Sequence, residues 1–223
     1  MNDEEWAAFA KVFRSRRTDI SLFMDGVFAF FGEHELLKSG EQSVIHSQKK
    51  RMKDESHLRE KVARKLADGR NISPDSLIKE ITDLAGIRIL LLFQNDFSVV
   101  DSAIRTKVNI GDWVFNEEPK AFTWDPEAKS YFERFDLKVE QRDSFYTSVH
   151  YLIKPRQDSD ICCEIQVRTL FEEIWGEVDH RLNYPVQTES LACREQLMVL
   201  SKIVGAGSRL VDAIQRTIES GAK

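Results

Sequence analysis

No run of apolar residues in the sequence approaches the length that crosses a bilayer, and the first residues, MNDEEWAAFAKVF, lack the basic segment and apolar stretch of a secretory signal. Both absences point to a cytoplasmic protein with no membrane partner. Cysteine is scarce. Cys162 and Cys163 are adjacent and Cys193 stands alone, a spacing that makes neither a disulfide framework nor a zinc site, so all three read as interior thiols. An excess of positive charge is missing too: a formal net charge of −5 argues against a surface given over wholly to nucleic acid, while leaving room for a local basic strip. What the 223 residues do hold, 42% of them hydrophobic, suffices for one sizeable core, which predicts one compact domain with a small helical addition.

The stretch from Ile161 to Pro185, ICCEIQVRTLFEEIWGEVDHRLNYP, changes period in its middle. At period two, Ile161, Cys163, Ile165 and Val167 share one face and Glu164, Gln166 and Arg168 the other, which predicts a strand with an apolar side and a chemical side. From Thr169 the period is helical. Leu170, Phe171, Ile174, Trp175, Val178 and Leu182 form an apolar arc, while Glu173, Glu177, His180 and Tyr184 share a polar side. On periodicity alone, a buried strand feeding a helix with a solvated charged face explains this as well as a site does.

Upstream, Trp6, Phe9, Ala10 and Phe13, then Ile20, Phe23, Met24, Val27 and Phe31 beyond the polar RSRRTD, predict two helices over residues 1–40, with Gly32 and Gly40 bracketing a break. Val44 to Met52 reads as a strand running into a basic strip, since Gln48 to Arg70 holds nine Lys and Arg against four Asp and Glu. Ser73, Pro74 and Asp75 predict the start of a helix reaching toward Leu84. Ile87, Ile89, Leu91 and Phe93 alternate with Arg88 and Leu90 in a nearly continuous apolar strand, expected inside a sheet, where Arg88 needs a partner. Phe97 to Val108 predicts a helix, residues 111–131 an irregular insertion or short strands, and Leu137 to Gln141 a strand. In RDSFYTSVHYLI the alternation points Tyr146, Ser148 and His150 the same way, a pattern that ordinary half-buried strand residues also produce. Leu200, Ile203, Val204, Gly207, Val211, Ile214 and Ile218 predict a long helix within 188–223, its apolar stripe packing on the domain or building a homo-oligomer, and Gly205 and Gly207 permitting close approach.

Taken in order, the motifs RMKDESHLREKVARK, DLAGIR, YTSVH and EIQVRT, then DH and NY, resemble the RelA/SpoT synthetase domain over roughly 44–185. The resemblance implies a synthetase core at 41–187 with an α+β fold, a mixed β-sheet flanked by helices and similar to nucleotidyltransferases. The alternating strands support α+β independently. It implies an ATP-dependent pyrophosphokinase that transfers the β,γ-pyrophosphate of ATP to the 3′ hydroxyl of GDP or GTP, making (p)ppGpp. Arg51, Lys53, Arg59, Lys61 and Arg88 are implied to hold ATP, their ammonium and guanidinium groups suiting phosphate oxygens. Asp83 and Glu164 are implied to hold Mg²⁺ and, with Arg88, to form the catalytic centre, Glu164 also serving as base. Arg142, Tyr146, Ser148, His150, Gln166, Arg168, Glu173 and His180 are implied to hold the acceptor nucleotide, Tyr146 by stacking on its base. No His-Asp pair occurs in the chain, which implies that the hydrolase half of the long family members is absent.

The chain departs from the family pattern at named positions. His57 stands where a Ser is common, Phe145 for Gly, Thr147 for Arg, Arg142 for Lys, Glu173 for the Asn of some close small members, and Pro185 for Lys. These departures fall mostly on the acceptor side. They keep open a toxic small synthetase that pyrophosphorylates the 3′ end of tRNA or makes adenosine alarmones, with a cognate antitoxin. They also keep open a catalytically silent nucleotide-binding regulatory module.

Overall fold

The computed structural model describes residues 1–39, 42–142, 144–183 and 187–221; Gly40, Tyr184 and Pro185, singled out above, lie outside the described residues. A single helix, α1 (Asp3–Glu33), replaces the two predicted N-terminal helices. The RSRRTD segment contains neither Gly nor Pro, so its exposed polar side chains prolong the helix while Phe13 and Ile20, seven residues apart, stay buried on one face. Asn2 and Glu5 close the N-terminus as a reciprocal capping box.

A small ladder of β1 (Lys38–Ser39) and β2 (Gln42–Ser43) leads to β3 (Ser47–Met52). Val44 and Ile45, predicted within that strand, instead enter the core just before it. Asp54 caps α2 (Glu55–Ala67) by accepting from the Ser56 amide at 2.8 Å. The helix predicted to run toward Leu84 is one turn, α3 (Leu77–Glu80). The hydroxyls of Ser73 and Ser76 each accept the other's backbone amide and close a turn around Pro74 instead. The remaining elements are β4 (Ala85–Leu91), α4 (Phe97–Asn109), β5 (Val114–Phe115), β6 (Lys120–Thr123), α5 (Pro126–Phe132), β7 (Lys138–Gln141), β8 (Ser148–Lys154), β9 (Cys163–Thr169), α6 (Leu170–Asn183) and α7 (Leu191–Glu219).

The main sheet has seven strands in the order β3-β4-β9-β8-β6-β7, with β5 also paired to β8. The pairs β4–β9 and β6–β7 are parallel and the others antiparallel, which makes the fold α+β with a mixed sheet. One face is apolar: Ile87, Ile89, Val149, Tyr151, Ile165 and Val167 are buried, in one cluster with Phe13, Ile20 and Val27 of α1 and Val100 and Ile104 of α4. The Tyr151 hydroxyl donates to Asp101 of α4 at 2.7 Å, and Arg105 holds the same carboxylate, so the polar atoms of this core are paired. Within 111–131, β5 and β6 are short as predicted, but β6 lies inside the sheet between β8 and β7. Cys162 and Cys163 are buried free thiols and Cys193 is half-buried.

At the end of β9, Thr169 and Glu172 bond reciprocally, the Thr169 amide to Glu172 Oε2 at 2.6 Å and the Glu172 amide to Thr169 Oγ1 at 3.3 Å, which turns strand into α6 without a loop. Helix α7 packs closely along α6. A Cβ on Gly207 would meet the Phe171 ring at 2.7 Å, so the ring would have to shift to admit one. Of the predicted arc on α6, Trp175 is buried and donates to the Leu197 carbonyl at 3.0 Å. Ile174 and Val178 are exposed, because α7 covers only the side that carries Phe171 and Trp175. Val199, Ile203, Leu210, Ile214 and Ile218 on the outer side of α7 are exposed as well. Among the described residues no helix is long and apolar enough to cross a membrane.

Candidate active site

The face of the sheet opposite the core carries polar side chains in register across five strands. One cross-strand row runs Lys49, Arg88, Gln166, His150, Lys120, and the next runs Arg51, Gly86, Glu164, Leu152. On β4, β9, β8 and β6 strand alternation puts them there, since Arg88, Gln166, Glu164, His150 and Lys120 each neighbour a buried apolar residue on their own strand, while Lys49 and Arg51 of the edge strand β3 join them through register. Gly86 lies between Arg51 and Glu164. A Cβ there would approach only backbone oxygens, at 3.9 and 4.0 Å, so the missing side chain leaves an open floor between a cation and a carboxylate.

Asp83 sits just before β4, on the side of this floor that carries the basic strip. Its Oδ2 accepts from Lys53 Nζ at 2.8 Å and Lys61 Nζ at 2.6 Å, joining the end of β3 and the middle of α2 to the start of β4. Burial pushes the Asp83 carboxyl up, but the two ammonium groups outweigh it and hold the carboxyl below its ordinary range. Its other oxygen, Oδ1, is buried without a hydrogen-bond partner. Arg59 takes no part in this cluster. Two positions from Lys61 and so on another face of α2, it pairs with Asp3 of α1 at 2.6 Å. Ser56, neighbour of His57, gives its hydroxyl to Asp54 at 2.6 Å.

On the other side of the floor stand Tyr146, His150, Glu164 and Gln166. His150 Nδ1 lies 3.0 Å from Glu164 Oε1, His150 Nε2 lies 3.0 Å from the Tyr146 hydroxyl, and Gln166 Nε2 donates to Glu164 Oε2 at 2.9 Å. Burial pushes the Glu164 carboxyl up, yet the His150 bond and the Gln166 bond bring it below its ordinary range. Phe122 of β6 meets the His150 ring edge-on at 4.9 Å, and the Arg142 guanidinium lies over the other end of that stack, 4.1 Å from the Phe122 centroid.

Two of the residues implied to bind the acceptor are buried behind Tyr146. Ser148 shares the strand parity of His150 but is fully buried, hydrogen-bonded to Tyr146 and donating to the Val167 carbonyl at 3.4 Å, so it lies beneath Tyr146. Arg168 is 5% exposed and pairs with Glu173 at 2.6 Å, and a Cβ on Gly176 would strike its guanidinium at 2.7 Å, so it lies beneath the site, against α6. His180 is exposed on α6, seven residues beyond Glu173. Thr147, where the family has Arg, is buried and shares a hydrogen bond with Thr123 at 2.9 Å.

Glu173 joins the two sides. Its carboxylate receives Arg88 at 2.8 Å, Lys49 at 3.4 Å and Arg168 at 2.6 Å, and Arg88 also reaches Glu177 at 3.1 Å. Glu173 is therefore the partner that Arg88 needs inside a sheet. Burial raises the Glu173 carboxyl, but Arg168 and Arg88 outweigh it and hold it low. The sequence reading missed Lys49, Gly86 and Phe122 as parts of the site. The alternation that located Arg88 and His150 also locates all three once strand register is known.

The chain matches the family described as "Region found in RelA / SpoT proteins" over residues 50–189. It is similar to GTP pyrophosphokinase YjbM of Bacillus subtilis (strain 168), 25% identical over 189 residues that cover 82% of this chain and 75% of the relative. Among solved structures it is similar to a GTP pyrophosphokinase family protein from Streptococcus pneumoniae, with TM-score 0.66, 21% identity and coverage of 99% of this chain and 97% of the other. It is likewise similar to the small alarmone synthetase 1 from Bacillus subtilis bound to its product pppGpp, with TM-score 0.65, 19% identity and coverage of 97% and 100%.

Proposed function

The chain belongs to the RelA/SpoT family, and on that premise we propose that it is a pyrophosphokinase that moves the β,γ-pyrophosphate of ATP to the 3′ hydroxyl of GDP or GTP, making (p)ppGpp. The observation that carries this reading is the opposition, across the open floor at Gly86, of the cations around Asp83 and Arg88 to the carboxylate, imidazole and phenol around Glu164. Such a transfer needs phosphate charge held on one side and a poor nucleophile activated on the other, with both fixed in line. Arg51, Lys53, Lys61 and Arg88 hold the triphosphate; Tyr146 stacks the guanine; Glu164 takes the proton of the acceptor hydroxyl. The absence of a His-Asp pair supports synthesis without hydrolysis.

Magnesium fits the donor set. Asp83 Oδ1 is a buried carboxylate oxygen with no hydrogen-bond partner, and Glu164 faces it across Gly86, near enough that the Asp83 charge raises its carboxyl. Among the described residues no group of three or more His, Cys, Asp or Glu could hold a metal, which suits an ion that takes one or two carboxylates and completes its shell with phosphate and water. Asp83 and Glu164 are its ligands in this reading, and the chemistry it supplies when bound is neutralisation of phosphate charge.

The test is transfer of label from ATP carrying it at the γ-phosphate, with Mg²⁺, offered separately to GDP, GTP, ATP and deacylated tRNA. Label on a guanine nucleotide is the expected result, lost with Glu164→Gln. Label on tRNA or ATP contradicts the acceptor assignment, and label on no acceptor contradicts the reading as a whole.

A further inference from the structure

Tyr146, His150 and Glu164 form one hydrogen-bonded chain, with 3.0 Å between the phenol oxygen and His150 Nε2 and 3.0 Å between His150 Nδ1 and Glu164 Oε1. Burial pushes the Tyr146 phenol up, so it keeps its proton and donates it to Nε2. The ring proton then belongs on Nδ1, where it is donated to the carboxylate. Gln166 Nε2 donates to the other carboxylate oxygen at 2.9 Å, so donors on both oxygens set the plane of Glu164. The His150 ring is itself held by the edge-on Phe122 ring, and the Tyr146 ring has the Arg168 guanidinium at 5.8 Å and the tilted Trp175 ring at 6.5 Å.

We propose that the Tyr146 hydroxyl, acting through His150, is a positioning group for Glu164, so that the seat of the acceptor base and the proton-accepting carboxylate are one mechanical unit. The inference rests on the reading above, in which Glu164 takes the acceptor proton. In that step the 3′ oxygen bonds to the β-phosphorus and the bond from that phosphorus to the oxygen it shares with AMP breaks. AMP leaves with the electron pair, and the hydroxyl proton passes to Glu164. The proton moves only if the carboxylate lies in the line of the attacking oxygen, and a carboxylate with one donor missing is free to turn away. The Tyr146 side chain thus has two separable duties: its ring binds the base, and its hydroxyl sets turnover.

Tyr146→Phe keeps the ring and removes the hydroxyl. It is expected to lower kcat roughly 10-fold or more, as loss of a group that orients a reacting carboxylate does, while the acceptor KM stays within about twofold. Tyr146→Leu is expected to raise the acceptor KM as well. His150→Asn, whose amide can stand in for the Nδ1 donor, should retain more turnover than His150→Ala, and adding Tyr146→Phe to His150→Ala should cost nothing further. A Tyr146→Phe enzyme with unchanged kcat, or penalties that multiply fully in the double variant, overturns the proposal. A readout independent of transfer is the ¹⁵N spectrum of the His150 ring at about pH 8, above the ordinary histidine range. The Nδ1–H tautomer is expected, weakened in Tyr146→Phe; an Nε2–H tautomer overturns the linkage whether or not the enzyme turns over. Wild-type protein that shows the Nδ1–H tautomer and transfers nothing contradicts the functional reading and leaves the linkage standing.

Discussion

Phe145 adopts φ 58, in the left-handed region where glycine is at ease, and it is the position at which the family pattern has glycine. The chain keeps the backbone turn and fills it with a ring that packs edge-on against Trp124, centroids 5.5 Å apart. That turn ends the alternation predicted from Phe145 onward and starts β8 only at Ser148. Two opposing effects act on one residue, and two substitutions separate them. Phe145→Ala loses the ring and keeps the backbone cost, whereas Phe145→Gly loses the ring and relieves it. Urea unfolding should therefore rank the Gly variant above the Ala variant by about 1 kcal/mol. The reverse order would mean that the turn relaxes out of the left-handed region when the ring is removed. At this scale the sequence showed that something was unusual at 145 and could not show what, because a φ value is a property of the folded loop.

Helix α6 shows the same division at the scale of an element. Its start was legible: the change from period two to 3.6 at Thr169 is the point at which the capping box forms. Its inner surface was not, because Ile174 and Val178 fit the apolar period as well as Trp175 does, and only the placement of α7 decides which is covered. The first turn carries two carboxylates in opposite electrostatic situations. Desolvation pushes the Glu172 carboxyl up to about 7, against the Thr169 bonds that pull it down, while Glu173 is held low by arginines. A carboxyl whose pKa is higher in the folded than in the unfolded chain stabilises fully below the unfolded value, here 4.5, and loses that contribution as pH rises toward about 7. Glu172→Gln keeps an oxygen for the Thr169 amide and cannot ionise. Over that window the unfolding free energy of the wild type should fall more steeply with pH than that of the variant; parallel curves would contradict the burial of this carboxyl. Glu173→Ala acts on the other balance by leaving Arg168, 5% exposed, without its counter-charge. It should cost about 3–5 kcal/mol, read as a lower urea midpoint, and a loss below about 1 kcal/mol would show that the pair is solvent-screened.

Over the whole molecule, the sheet separates two kinds of residue by parity. The apolar members of β4, β8 and β9 meet α1 and α4, and the alternate members make the site. That parity was readable from the chain, as were the strand at 85–91, the strand-to-helix junction and the long last helix. The unbroken α1 was not, because a polar stretch without Gly or Pro reads equally as a linker and as the wet side of one helix. Arg59, Arg168 and Ser148 were assigned to nucleotides by motif position. The structure pairs Arg59 with Asp3 of α1 and Arg168 with Glu173 in the first turn of α6, and buries Ser148 between the Val167 carbonyl and Tyr146, choices that only the folded arrangement makes. What no motif conveyed is that Gly86 leaves the floor open between the two halves. The most direct measurement is therefore pyrophosphate transfer by Gly86→Val, with its thermal unfolding as control. The backbone at 86 needs no glycine conformation and a Cβ there meets nothing closer than 3.9 Å, so the variant should fold with a melting temperature close to the wild type. If the reaction takes place over Gly86, transfer should fall by roughly 100-fold or more, the scale expected when reacting groups are pushed out of line by about 1 Å. A folded Gly86→Val protein that transfers at the wild-type rate would place the chemistry elsewhere.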